Sequence, residues 1–104
     1  MRNKCEVIWS VESTLRADQI ILFLSEKWTE KEVLNFLIDL KTFEEIVSNF
    51  PEIYPESQIK KGYRRAVINK QTSVLYSIED GLIRVHTLYD NRQDSEKLKK
   101  YAYT

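Results

Sequence analysis

The sequence holds one cysteine, one histidine, two glycines and two prolines in 104 residues. A single thiol, Cys5, cannot close an intrachain disulfide or supply the paired thiolates of a structural zinc site. Cys5 lies in an apolar strand pattern and reads as a buried, inert thiol. Gly62 and Gly81 are too few and too far apart for a glycine-rich loop that cradles phosphates. With His86 as the one histidine, no HExxH metal pair exists, and no GxSxG elbow is present. No apolar run approaches the roughly 18 residues of a membrane span, and no basic segment leads into one. A cytoplasmic, reducing setting without membrane association is the expectation. An excess of either charge is missing too: 16 Lys and Arg stand against 16 Asp and Glu. Neutrality argues against indiscriminate polyanion binding, but not against a basic face.

What is present is a chain of ordinary globular balance, 42% hydrophobic and 31% charged. Its length fits one domain, 1–104. The charges are unevenly divided. Residues 1–53 carry six basic and ten acidic side chains, and residues 54–104 carry ten basic and six acidic. The first half is therefore net −4 and the second net +4.

Residues 4–10 read as a strand, with Val7 and Trp9 on one face and Glu6, Ile8 and Ser10 on the other. From Val11 to Trp28, Leu15, Ile20, Ile21, Leu24 and Trp28 recur at helical spacing, widened by Phe23, with Ser13 or Thr14 as cap. Thr29 to Glu32 matches a capping box and starts a helix that runs to about Asn49. Val33, Leu37, Leu40, Phe43 and Val47 form its stripe, beside Phe36 and Ile46. Pro51 stops it and Pro55 keeps the next segment extended. Gln58–Asn69, Thr72–Glu79 and Leu82–Tyr89 read as three strands, the last two joined by the turn dipeptide Asp80-Gly81. Val74, Tyr76 and Ile78 alternate toward one face, as do Ile83 and Val85, and His86 alternates with Arg84 and Leu88. The expected architecture is α+β, in the order β-α-α-β-β-β. It is an antiparallel sheet, the first strand antiparallel to either edge of the others, with a helical hairpin on one face. A polar tail from Asp90 adds a short helix over Asp94–Tyr101.

The densest cationic feature is Lys60, Lys61, Arg64, Arg65 and Lys70, with Arg84 and Arg92 able to join across the sheet. Arg64 and Arg65 must point to opposite faces of a strand, so only part of this cluster shares a surface. It reads either as solvated edge charge or as a surface for an acidic partner or nucleic acid. His86 has a side chain suited to acid–base work, but no Ser or Cys nucleophile is placed beside it by spacing. Tyr89, Tyr101 and Tyr103 read as cover for the core or an interface. Asp90, Asp94 and Glu96 are too scattered for a metal site, and no cofactor is implied.

The order of elements, with Val7-Ile8-Trp9-Ser10, Gly62-Tyr63-Arg64-Arg65-Ala66-Val67-Ile68, Val74-Leu75-Tyr76-Ser77-Ile78 and Ile83 to Asp94, resembles the RelE/ParE superfamily of bacterial type II toxins. The resemblance spans nearly the whole chain. It implies a toxin neutralised by a cognate antitoxin, acting in one of two ways. ParE-like members poison DNA gyrase without catalysis; RelE-like members cut messenger RNA in the ribosomal A site. The nuclease pattern is only partly carried over. Arg64 and Ala66 stand where it has two lysines, and Ser73 where it has an arginine. Arg92 matches its last-strand arginine, and Leu98 replaces its tyrosine, with Tyr101 one helical turn further. The resemblance therefore implies Arg64, Arg92 and Tyr101 as catalytic residues if the protein is a nuclease. Lys60, Lys61, Arg64, Arg65, Arg84 and His86 are the expected contacts for antitoxin or target. The ending Leu-Tyr-Asp-Asn-Arg-Gln-Asp leans to the ParE-like side, with the RelE-like nuclease as the alternative and a non-toxic interaction module as a third.

Overall fold

The computed structural model describes residues 4–91. Six elements follow in the order β1 (Glu6–Trp9), α1 (Val11–Lys27), α2 (Glu30–Asn49), β2 (Tyr63–Val67), β3 (Thr72–Glu79) and β4 (Leu82–Asp90). The sheet order is β1-β4-β3-β2, and the two helices cover one face of it. The α+β class and the expected order of elements are those observed. No helix among the described residues is long and apolar enough to cross a membrane. Arg92, Tyr101, Tyr103 and the tail helix expected over 94–101 lie outside the described residues.

One expectation about direction fails. β1 pairs parallel to β4, Glu6 opposite Leu82 and Trp9 opposite Val85, so the sheet is mixed rather than antiparallel. The cause lies in residues 50–62. The strand expected over 58–69 begins only at Tyr63, and the preceding residues form an extra reversal. Glu56 bridges antiparallel to Arg64, the Ser57 N–H donates to the Tyr63 carbonyl at 2.6 Å, and the Arg65 N–H donates to the Pro55 carbonyl at 3.0 Å. The chain thus comes alongside β2 before entering it. That added reversal inverts the direction of every later strand relative to β1. It also covers part of β2's outer edge, which would otherwise offer a row of unpaired backbone groups.

The β3–β4 hairpin turns at Asp80-Gly81, both at positive φ (51° and 77°), the conformation a two-residue hairpin loop needs. Its ladder is interrupted once. Tyr76 faces Val85 and Leu75 faces Thr87, so His86 is an extra residue, a β-bulge. Simple alternation, as expected from the sequence, puts Leu88 on the face of Arg84 and His86. The bulge moves Leu88 to the opposite face, where it is buried with Phe36, Phe43, Val47, Ala66, Val74, Tyr76, Ile83 and Val85. A small second cluster, Leu75 and Tyr89 with Ile59 and Tyr63 beside them, lies on the helix-free face.

Phe43 is the centre of the main core. Its ring meets Trp9 at 6.1 Å, Tyr54 at 6.1 Å and Tyr76 at 5.6 Å between centroids, mostly in edge-on or tilted geometry. Val7 and Trp9 face this core, as their alternation predicts. Burial raises the Tyr76 pKa to about 12, and its hydroxyl donates to the Pro51 carbonyl at 2.7 Å. Burying the ring therefore leaves no orphaned hydroxyl. Of the expected α2 stripe, Phe43 and Val47 are buried, together with the neighbouring Phe36. Leu37 on α2 and Leu15, Phe23 and Trp28 in or beside α1 stay exposed.

The helix starts also differ from expectation. Ser10, not Ser13 or Thr14, caps α1. Its Oγ accepts from the Ser13 N–H at 3.0 Å and also donates to the His86 carbonyl at 2.8 Å. Ser13 is fully buried beneath it. Thr29 occupies the α2 cap position as expected, yet its side chain makes no capping hydrogen bond. Ser10→Ala therefore removes a cap and leaves the bulge carbonyl without its partner. It should cost about 1–3 kcal/mol of unfolding free energy in urea titration. Thr29→Ala should cost less than about 0.5 kcal/mol; equal losses would contradict the assignment of caps.

Candidate functional site

Alternation along β2, β3 and β4 brings polar side chains to the helix-free face, His86 beside Arg84 among them, and the bulge changes sides only for the residues after His86. There the rings of Tyr63 and His86 stack flat, centroids 4.4 Å apart and planes 3° apart. Lys60 Nζ lies 5.1 Å from the Tyr63 centroid, within cation–π range. His86 Nε2 is 2.7 Å from Ser77 Oγ, which in turn donates to Glu79 Oε2 at 3.0 Å. Arg84 Nε sits 3.5 Å from the same carboxylate oxygen.

A second polar group lies at the other end of this face. Arg65 Nε donates to Ser73 Oγ at 3.1 Å and Nη2 to Asn91 Oδ1 at 3.4 Å, with its guanidinium 5.7 Å from the Tyr89 centroid. Ser73 Oγ also donates to Asn91 Oδ1. The Asn91 amide nitrogen reaches the Asn69 and Lys70 carbonyls at 3.1 and 3.0 Å, tying the end of β4 to the β2–β3 turn. Arg65 is thus held by three neighbours.

The expected contact residues therefore divide. Lys60, Arg65, Arg84 and His86 belong to the helix-free face. Arg64 points the other way, as alternation requires. Its Nη1 donates to the Tyr54 carbonyl at 2.6 Å and the Glu52 carbonyl at 3.3 Å, bracing the reversal before β2. Lys61 is exposed in the turn before β2. Tyr63, Ser73, Ser77, Glu79 and Asn91 join those on the helix-free face without being expected contact residues. The period-two placement of Ser73 and Ser77 along β3 was a usable signal for two of them.

The electrostatics favour a neutral imidazole. Burial lowers the His86 pKa from its ordinary value, Arg84 and Lys60 push the same way, and Glu79 opposes them. Burial likewise raises the Tyr89 pKa, with Arg65 opposing. Ser77, His86 and Glu79 do not form an acyl-transfer triad. In a triad the base lies between nucleophile and carboxylate, whereas here the serine lies between the histidine and Glu79. No group of three His, Cys, Asp or Glu side chains among the described residues is placed to hold a metal ion.

The helical side carries a different surface. A groove of about 830 Å³ opens between the helices and the β2–β3 turn, lined by Ile20, Phe23, Leu24 and Trp28 of the α1 end and Phe36 and Ile38 of α2. Phe23, Trp28 and Ile38 are 54%, 60% and 53% exposed. Apolar side chains this open, grouped in one concavity, mark a surface built to be covered. Glu32, Asp39 and Asp90 lie among its polar lining, with Arg16 and Lys70.

The histidine sets a pH dependence. Its folded pKa lies below its unfolded one, so the unfolded chain takes up the proton first as pH falls. The contribution is present in full above pH about 6.5 and is lost as pH falls through the folded pKa. Unfolding free energy should therefore drop from pH 7 to 5.5, and His86→Gln should reduce that drop. An unchanged drop in the variant would contradict the burial of the neutral ring.

No protein-family model matches the chain, and no curated protein matches it. Solved structures do. A chain of the chromosomal ParDE TA (toxin–antitoxin) system from P. aeruginosa is similar with a TM-score of 0.71 at 10% identity, over 84% of this chain and 96% of that one. A chain of the E. coli DinJ-YafQ toxin-antitoxin complex gives 0.57 at 17% identity, over 84% and 92%. The conserved hypothetical protein HP0894 from Helicobacter pylori gives 0.56 at 12%, over 86% and 97%. At such identities the likeness is one of fold. It is the fold that the resemblance to the RelE/ParE superfamily implies.

Proposed function

We propose that this chain is the toxin of a toxin–antitoxin pair, arresting growth when free of its antitoxin. The observation that carries the reading is the whole-domain likeness in fold to a chain of the ParDE system. The groove with its exposed Phe23, Trp28 and Ile38 supports it from the chain's own side. An amphipathic helix or strand of the antitoxin fits that groove, its apolar residues against Phe23, Trp28 and Ile38. The cations of the helix-free face, Lys60 against the Tyr63 ring and Arg84 beside Glu79, give it positive charge that suits an acidic segment of partner or target.

The first mechanism is ParE-like inhibition of DNA gyrase without catalysis. Metal-free RNA cleavage needs charge stabilisation on the phosphate and proton transfer at two oxygens. Of the two candidates for the first, Arg64 is held by two backbone carbonyls on the helix side, and Arg92 lies outside the described residues. The second mechanism is ribosome-dependent cleavage of messenger RNA. It is favoured by one observation: a neutral, stacked His86 with Lys60 and Arg84 nearby.

Expression of the chain alone should stop growth of a bacterial host, with transcripts intact and a DNA-damage response induced. Codon-phased transcript cleavage would replace the first mechanism by the second. Unimpaired growth would overturn the toxin reading in favour of an interaction module. Trp28→Glu should leave arrest intact while weakening rescue by the antitoxin encoded beside it, at least tenfold in Kd. Unchanged affinity would remove the groove from the antitoxin contact.

A further inference from the structure

We propose that Ser77 and Glu79 act as positioning residues that fix His86 in its Nε2–H tautomer, so that Nδ1 stands on the helix-free face as an open acceptor. Ser77 has one hydroxyl proton and two neighbours within hydrogen-bond reach, His86 Nε2 at 2.7 Å and Glu79 Oε2 at 3.0 Å. A carboxylate has nothing to donate. If the hydroxyl turned to the imidazole, two oxygens would face each other at 3.0 Å with no proton between them. The arrangement that satisfies all three groups runs one way: Nε2–H donates to Oγ, and Oγ–H donates to Glu79. Ser77 is 6% exposed, so water does not readily replace either partner.

The other ring nitrogen follows. Among the described residues Nδ1 has no hydrogen-bond partner, and no buried side-chain nitrogen or oxygen there lacks one. Nδ1 therefore reaches solvent. It carries the lone pair in the tautomer assigned here. Tyr63 of β2 holds the ring flat, and the charged groups facing it are Glu79 of β3, Arg84 of β4 and Lys60 of the preceding turn. An acceptor with two cations near it suits a ligand that offers an O–H or N–H donor next to an anion, such as a hydroxyl-bearing phosphate ester. Use of Nδ1 as a general base, taking the proton of such a hydroxyl, rests on the RNA-cleaving reading; the tautomer does not. Protonation at low pH would turn Nδ1 into a donor and remove the acceptor, a change the burial of the ring holds back at neutral pH.

The test is long-range ¹H–¹⁵N correlation on the full chain labelled in histidine. His86 is the one histidine, so its signals need no assignment. At pH 7.5 the wild type should show Nε2 protonated and Nδ1 bare, with a titration midpoint below 6.5. Glu79→Ala frees the Ser77 hydroxyl to donate to Nε2, so the Nδ1–H form should grow several-fold. Its midpoint should also move down, since Glu79 favours the charged ring. Mere loosening of the fold would move the midpoint up toward 6.5. Ser77→Ala should leave a mixture of tautomers; if it does not fold, the exposed Glu79 position carries the test alone. A wild type dominated by Nδ1–H, or a Glu79→Ala midpoint that rises, overturns the proposal. Failure to cut RNA with the tautomer as assigned would remove the RNA-cleaving reading and leave the acceptor in place.

Discussion

The β-bulge at His86 sets which side chains reach each face of the sheet. One residue of β4 is left out of the pairing between Leu75–Thr87 and Tyr76–Val85. Everything after it changes sides: Leu88 enters the core, while Thr87 and Tyr89 join Leu75 on the helix-free face. The same residue supplies the ring that stacks on Tyr63. A bulge leaves a backbone group unpaired in the ladder, and here the Ser10 hydroxyl takes the His86 carbonyl. Ser10 is also the cap of α1 and passes its N–H to the Val85 carbonyl at 3.0 Å. The start of the helical hairpin and the irregularity of the central strand are thus held by one side chain, joining residues 76 positions apart in sequence.

Much of this was legible beforehand. Helical spacing placed α1 and α2 within a residue or two, Thr29 marked a true cap position, and Asp80-Gly81 marked the hairpin. What was not legible depended on contacts far apart in sequence. No local signal says that residues 55–57 lie beside β2, and without that extra reversal the order of elements implies an antiparallel β1. Period-two alternation cannot announce its own interruption, and on its own it puts Leu88 on the face of His86. The capping box at Thr29 had the right letters but lacks its hydrogen bond, because sequence gives residue types and not the rotamers they adopt.

Charge and apolar surface are divided between the two sides of the molecule. The acidic half of the sequence became the hairpin, whose groove exposes Phe23, Trp28 and Ile38 among polar side chains. The basic half became the sheet, but its cations are not one patch. Arg64 braces a backbone reversal and Arg65 is held in a polar group at the end of the strands, leaving Lys60 and Arg84 beside the histidine. A count of charges on one strand is therefore not a measure of one positive surface, and a partner seated in the groove would sit on the opposite side of the sheet from His86.

The bulge is open to direct observation. In isotope-edited nuclear Overhauser spectra, the His86 ring protons should show cross-peaks to the Tyr63 ring while the Leu88 methyls show cross-peaks to the buried rings of Phe36 or Phe43. Only a strand that skips a residue at position 86 gives both sets. Leu88 methyls that instead report contacts with Tyr63 and the His86 ring would contradict the account at its root.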